Sequence, residues 1–367
     1  MVPDEGTTRV MIDLTDRTHC FYWQTDRSLS PEDYERIFLH RHEVSTAVII
    51  DILKHGITTI PHIHSLEIIS PDENVLKGNV NIVRKVLING NKYVVRMHPR
   101  GVKNGYFYVE QLALARAAKA GVPVPEILEV HEARDENDMD FILMTTSPGI
   151  TMDILLQKNT STEDILLIDC GTLMAKIHEV MVEGFGPFNN KIAKREKRLL
   201  GLHNTYNNFI HIGLQENLER LVTYKILNQR QATTLSNVIT TRAFEPADGP
   251  RLIHNDFADW NLLTDTKHIT AVLDWDECHA GDPIADLACW STFFSIERMK
   301  KFLEGYSAHA TLPNDYDERF HFYRLRYTIS KMALRIKRYQ VDKSPFILEK
   351  LKVGKQALEE EARWFQT

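Results

Sequence analysis

Cysteine is scarce in this 367-residue chain: Cys20, Cys170, Cys278 and Cys289 are the four, and no CxxC pair occurs. Scattered single thiols exclude a cysteine-built metal site and point to buried side chains in a reducing compartment. No stretch approaches 18 uninterrupted apolar residues, so no membrane span is expected. Residues 1–10 lack a basic region followed by an apolar one, so no secretory signal is expected and a cytoplasmic location follows as the expectation. Positive charge is also short. The formal net charge is −6, which argues against nucleic acid as a partner, because gripping a phosphate backbone takes a basic face. There is no GxGxxG loop, no internal repeat and no low-complexity tract.

What remains is an ordinary globular composition, 43% hydrophobic and 26% charged. The chain is long enough for two or three compact units. Ser30-Pro31-Glu32-Asp33 reads as a helix start, with serine as cap, proline at the first helical position and acids in the first turn. Apolar residues then recur at helical spacing to Gly56, as one long helix or two short ones. From 65 to 97 the pattern turns to strands, at 65–69, 79–88 and 92–97, with Asn89-Gly90-Asn91 as a hairpin turn. A helix over 106–120 ends at Gly121. Two more strands follow, at 127–130 and 141–144. Beyond 150 the pattern is helical, over 162–182, 190–210, 214–226, 228–243, 283–306, 317–339 and 345–366. Short strands interrupt it at 252–253, 262–263 and 270–273. The expected architecture is α+β, with a helical N-terminal extension over 1–60, a small strand-rich lobe over 61–147 and a larger helical lobe over 148–367.

The strongest motif is H-x-D-x-x-x-x-N, from His254 through Asp256 to Asn261, set between two short apolar runs. In phosphoryl transfer the Asp takes or orients the proton of the attacking hydroxyl, and the Asn five residues on binds a metal ion. Thirteen residues after Asn261 an apolar strand ends in Asp274, within Val272-Leu273-Asp274-Trp275-Asp276. That is where a second metal-binding Asp belongs. A polar turn with capping carboxylates is the plain alternative.

The run His254-Asn255-Asp256, Asn261, Val272 to Asp276, Gly281-Asp282-Pro283 and Asp286-Leu287-Ala288 resembles the aminoglycoside phosphotransferase family, related to choline kinases and protein kinases. Leu173 to His178 and Gly184-Phe185-Gly186 add to the likeness, which covers about residues 60–295. The resemblance implies a bilobal protein-kinase-like fold, with a small antiparallel sheet in the N-lobe and a mainly helical C-lobe. It implies an ATP- (or GTP-) and Mg2+-dependent O-phosphotransferase, with Asp256 as catalytic base and Asn261 and Asp274 as magnesium ligands. His254 is read as a structural residue that holds the loop, and Asp282 and Asp286 as structural too, Asp286 either capping a helix or anchoring the catalytic loop.

On the nucleotide side, Arg96 stands on the third strand where kinases place a lysine, with Glu110 of the next helix as its partner. Arginine keeps the charge and adds a bidentate fork, but its reach differs. Lys77 and Asn79 fall where a phosphate-covering turn belongs, a place a plain hairpin loop fills as well. Thr145, Thr146 and Ser147 follow the fifth strand as a hinge whose main chain would hold the base. The acids near the loop, Asp259, Asp276, Glu277 and Glu297, suit a cationic acceptor such as an aminoglycoside. They serve capping or solubility equally well. A metabolic kinase of a sugar, amino alcohol or amino acid is the second reading, and a nucleotide-binding regulator without turnover is the third.

Overall fold

The computed structural model describes residues 11–27, 29–38, 44–69, 81–135, 137–242, 244–246, 248–341 and 343–365. Lys77 and Asn79 lie outside them. The chain divides into two compact units. One comprises Met1–Asp16, Ser28–Tyr108 and Pro125–Thr146; the other comprises Arg17–Arg27, Val109–Val124 and Ser147–Thr367. No helix among the described residues is long and apolar enough to cross a membrane.

The first unit is built on a five-stranded antiparallel sheet. Its strands are β1 (Leu66–Ile69), β2 (Ile82–Ile88), β3 (Asn91–Met97), β4 (Ile127–His131) and β5 (Phe141–Thr145), ordered β1-β2-β3-β5-β4. The Asn-Gly hairpin forms as the sequence indicates. Ile88 pairs with Asn91, and Asn89 and Gly90 have φ of 50° and 82°, a turn whose twist matches the strands. One sheet face carries Val86, Ile88, Val95, Phe141 and Leu143 into a core completed by Ile49, Ile52 and Leu53 of helix α1 (Thr46–Gly56). Gly56 ends that helix against a ring: a Cβ there would lie 2.6 Å from Phe141 Cε1.

The helix start at Ser30 also forms. Ser30 Oγ accepts the Asp33 N–H at 3.0 Å, and the helix runs Pro31–Phe38. Residues 1–60, however, do not form a unit of their own. Ile12–Asp13 pairs in parallel with Val102–Lys103 in the first unit. Residues 17–27 belong to the second, where Phe21, Tyr22 and Trp23 are buried. The apolar surface of those rings is the reason, since each contributes far more by burial than the short segment around it.

The second unit is mainly helical. It includes most of α2 (Phe107–Lys119), together with α3 (Glu163–His178), α4 (Pro283–Ser291), α5 (Ile296–Ser307), α6 (Tyr316–Val341) and α7 (Pro345–Trp364). Two expected helices divide. The stretch 190–210 becomes Asn190–Glu196, a strand at Gly201–His203 and a helix at Tyr206–Ile210. Lys197, in the left-handed region at φ 54°, stops the first piece. The stretch 283–306 breaks between α4 and α5, where the α4 carbonyls of Cys289 and Trp290 accept the N–H groups of Thr292 and Phe293.

Candidate active site

Two short antiparallel ladders frame the central motif. Arg251–Ile253 pairs with His279–Gly281, and β6 (Leu262–Thr264) pairs with β7 (Ile269–Val272). The loop 254–261 runs from the first ladder to the second, and 273–278 makes the return. Pairing at both ends holds the two arms together. Leu273 N–H donates to the Asn261 carbonyl at 2.8 Å. Asn261 and Asp274 therefore sit at one end of the β6–β7 ladder, on opposite strands. A single 3-10 turn, Asp259–Asn261, closed by Asn261 N–H on Ala258 O at 2.7 Å, brings Asn261 back toward Asp256.

Asp256 is half-buried in this loop. Asn261 Nδ2 donates to its carbonyl and to its Oδ2, both at 2.9 Å. Among the described residues no donor is bonded to Asn261 Oδ1, and the exposed Asp274 stands on the arm opposite. Burial, then the charge of Asp274, raises the Asp256 carboxyl to about 7, against the pull of Lys331, Asn261 and Arg338. Asn255 (φ 68°) and Asp274 (φ 61°) both occupy the left-handed region. Non-glycine residues there cost on the order of 1 kcal/mol each and persist where the surroundings enforce them.

The surroundings that enforce this are specific. Asp286, on α4, accepts the N–H of His254 at 2.8 Å and of Asn255 at 2.9 Å. Its Oδ2 also lies 3.2 Å from His178 Nε2, and His178 Nδ1 accepts from the Tyr306 hydroxyl at 2.9 Å. Burial pushes the Asp286 carboxyl up, yet these donors hold it below its usual value. His254 is fully buried, and burial lowers it to about 4. The neutral ring spans the two arms: Nε2–H donates to Leu273 O at 3.1 Å and Nδ1 accepts the Asp256 N–H at 3.3 Å. His254 is a brace. Asp286→Ala strands two loop N–H groups and should lower stability by about 3 kcal/mol. A urea midpoint equal to that of the unsubstituted chain would remove Asp286 from this role.

The acids expected to meet a cationic acceptor are mostly engaged inside the chain. Asp259 Oδ2 pairs with Arg298 at 2.8 Å, and Asp276 with Arg17 at 2.6 Å. Glu277 accepts the Gln24 N–H at 3.2 Å. Burial, then the charge of Asp276, raises it to about 8. Glu297 lies exposed on α5.

The nucleotide-side residues fall in both units. Arg96 is buried on β3, opposite Ile142, with its guanidinium 5.5 Å from the Phe107 ring centroid. Glu110 is buried in the first turn of α2, within the second unit. Thr145 closes β5 and is tied to Glu126, its N–H to the carbonyl at 3.0 Å and its Oγ1 to the N–H at 2.9 Å. Thr146 ends the first unit and Ser147 opens a segment of the second.

Sequence reasoning missed the cations near Asp256. Lys331 and Arg338 come from α6, some seventy residues downstream of the motif. The available signal was the helical spacing of 324, 328, 331, 335 and 338, which places all five on one face.

The chain is similar to known proteins. A profile described as the phosphotransferase enzyme family matches residues 75–322. The hygromycin-B 4-O-kinase of Escherichia coli is 23% identical over 224 residues, 59% of this chain and 62% of that kinase. Acyl-CoA dehydrogenase family member 10 of Mus musculus is 24% identical over 225 residues, 58% of this chain and 19% of that protein. The chain thus spans less than two thirds of the length of either curated relative. Among solved structures, a thermostable mutant of aminoglycoside phosphotransferase APH(4)-Ia, in a ternary complex with AMP-PNP and hygromycin B, aligns with TM-score 0.61 at 19% identity. That alignment covers 87% of this chain and 98% of the other. The streptomycin–ATP complex of APH(2")-IIa aligns with TM-score 0.52 at 15% identity, over 88% and 99%. The α+β arrangement is accordingly the aminoglycoside phosphotransferase fold, and with well over half of its length matched, the chain belongs to the phosphotransferase enzyme family.

Proposed function

We propose that this protein transfers the γ-phosphate of ATP (or GTP) to a hydroxyl of a small molecule, with Asp256 as base. The observation that carries the proposal is the constellation of Asp256, Asn261 and Asp274 on two braced arms. In the transfer, the acceptor oxygen forms its bond to phosphorus as the bond to the ADP oxygen breaks, and the hydroxyl proton passes to a carboxylate oxygen of Asp256. Asn261, bonded to Oδ2, fixes which carboxylate oxygen faces the acceptor. A binding-only protein would have no use for this base.

Asn261 Oδ1 and the Asp274 carboxylate form an all-oxygen pair, a donor set that suits magnesium, which takes one or two protein ligands and completes its shell with water and phosphate oxygens. Magnesium held there would neutralise charge on the phosphate oxygens. On the nucleotide side we assign Arg96 with Glu110, and the main chain at Thr145, Thr146 and Ser147. With Thr145 N–H already bonded to Glu126 O, base recognition falls to Thr146 and Ser147.

For the acceptor, an aminoglycoside has the support of the E. coli relative, which is named for hygromycin B. A metabolic hydroxyl compound has the support of the internal pairing of Asp259 and Asp276. Asp274→Asn removes a charged metal ligand and should weaken nucleotide affinity in magnesium buffer by about tenfold or more. Calorimetric titration checks it, and affinity equal to that of the parent chain would reject the metal role.

A further inference from the structure

Beside the catalytic loop the second unit holds a cavity of about 320 Å³ whose walls include Thr292, Phe293, Thr328, Lys331 and Arg335. It adjoins the loop by two routes. Trp260 of the loop packs on Phe293, ring centroids 5.3 Å apart. Lys331 Nζ donates to Cys289 O at 3.3 Å, and Cys289 Sγ donates to the Asn255 carbonyl at 3.1 Å. The cavity is therefore one residue removed from the neighbour of Asp256. Its volume matches the lower end of small-ligand sites.

Its charge is one-sided. Lys331, Arg335 and Arg338 follow at i, i+4 and i+7 on α6, so they share a face and repel one another. Lys331 is buried, and Arg335 and Arg338 are half-buried. Lys331 is met by a carbonyl, by the Thr292 hydroxyl at 2.5 Å and by the Phe293 ring at 3.3 Å. Arg335 donates to the Lys350 carbonyl at 3.0 Å. Arg338 Nε is buried with no hydrogen-bond partner. Among the described residues no carboxylate lies within ion-pair distance of any of the three. Arg324, further back on the same face, is paired with Glu361. The cations without a close carboxylate therefore lie at the end of the stripe near the loop, where Lys331 and Arg338 act on Asp256 from beyond ion-pair distance. Crowding like charges in a partly buried wall is unfavourable unless an anion joins them.

We propose that this cavity is the acceptor subsite and that it takes an anionic group, a carboxylate or phosphate, carried on the same small molecule as the reacting hydroxyl. The inference rests on the kinase reading of Asp256 for the word acceptor, but anion binding itself does not. Arg335 lines the cavity and supplies a forked donor that matches either anion bidentately, with Lys331 as a second cation in the wall; Arg338 follows on the same helix face outside the lining. The Thr292 and Thr328 hydroxyls donate to the Cys289 and Arg324 carbonyls, so Lys331 and Arg335 are the donors left for the anion.

The test is calorimetric titration of the full chain, saturated with AMP-PNP and magnesium so that the nucleotide's own anion sites are filled. The probes are gluconate for a carboxylate, glycerol 3-phosphate for a phosphate and hygromycin B for a cation. One anionic probe should bind, and which one does identifies the group. Arg335→Gln should weaken it by about tenfold or more. Arg335→Lys keeps the charge without the fork, controls for folding and should recover only part of the affinity. Binding of neither anion, unchanged affinity in Arg335→Gln, or tighter binding of hygromycin B would overturn the subsite. Anion binding with no phosphate transferred from ATP would keep the subsite and remove the kinase reading; transfer to hygromycin B without anion binding would do the reverse.

Discussion

Asp256→Asn should lose about a thousandfold in turnover, the middle of the range for a general base. Asparagine is the sharper substitution than alanine here. Its side-chain oxygen can still accept from Asn261 Nδ2, which bonds Asp256 at 2.9 Å, so the loop keeps its shape and only the proton acceptor disappears. Nucleotide affinity should move the other way or not at all. Asp256 and Asp274 repel one another, and removing one charge relieves the other. Steady-state ADP release with an acceptor, set beside calorimetric titration of Mg·ATP, separates the two effects. Turnover within tenfold of the parent chain would end the assignment of Asp256 as base. A parallel loss of nucleotide affinity would instead mean that the substitution had disturbed the loop.

Much of the site was legible because its residues are close in sequence and the chemistry restricts their types. Asp256, Asn261 and Asp274 are all found on the two arms that the ladders pin. The five strands of the first unit and the Asn89-Gly90 turn were also legible, since alternation and turn chemistry are local. What was illegible depends on distance along the chain. The pairing of Asp259 with Arg298 and of Asp276 with Arg17 reverses the meaning of those acids. Only the fold brings the partners together. The division of residues 1–60 between two units follows from where Phe21, Tyr22 and Trp23 find an apolar surface, and no periodicity reports that. The break between α4 and α5 was hidden because the residues across it remain apolar enough to continue a helical pattern.

Gly305→Ala should be strongly destabilising, by about 3 kcal/mol or more, at a place where helix propensity alone predicts a gain of about 1 kcal/mol. Gly305 lies inside α5 and Gly171 inside α3. A Cβ on Gly305 would stand 1.9 Å from Ile168 O, and one on Gly171 would stand 1.9 Å from Phe302 O. Both obstacles are backbone, so no side-chain rotation relieves them and the two helices would have to part. Gly354→Ala in α7 is the control. There the nearest atoms are Met332 Sδ at 2.0 Å and Arg335 Nη1 at 2.5 Å, ends of flexible side chains that can move. Its cost should be clearly smaller. The close crossing also bears on the site. Tyr306, next to Gly305, donates to His178 of α3, and His178 reaches Asp286, which holds the N–H groups of His254 and Asn255. Parting α3 from α5 pulls on that chain at its first link. Gly305→Ala protein that remains folded at low temperature should therefore lose turnover while nucleotide affinity is kept. Urea denaturation with assays below the transition reads both effects. A Gly305→Ala midpoint at or above that of the parent would show that the crossing has room the geometry denies.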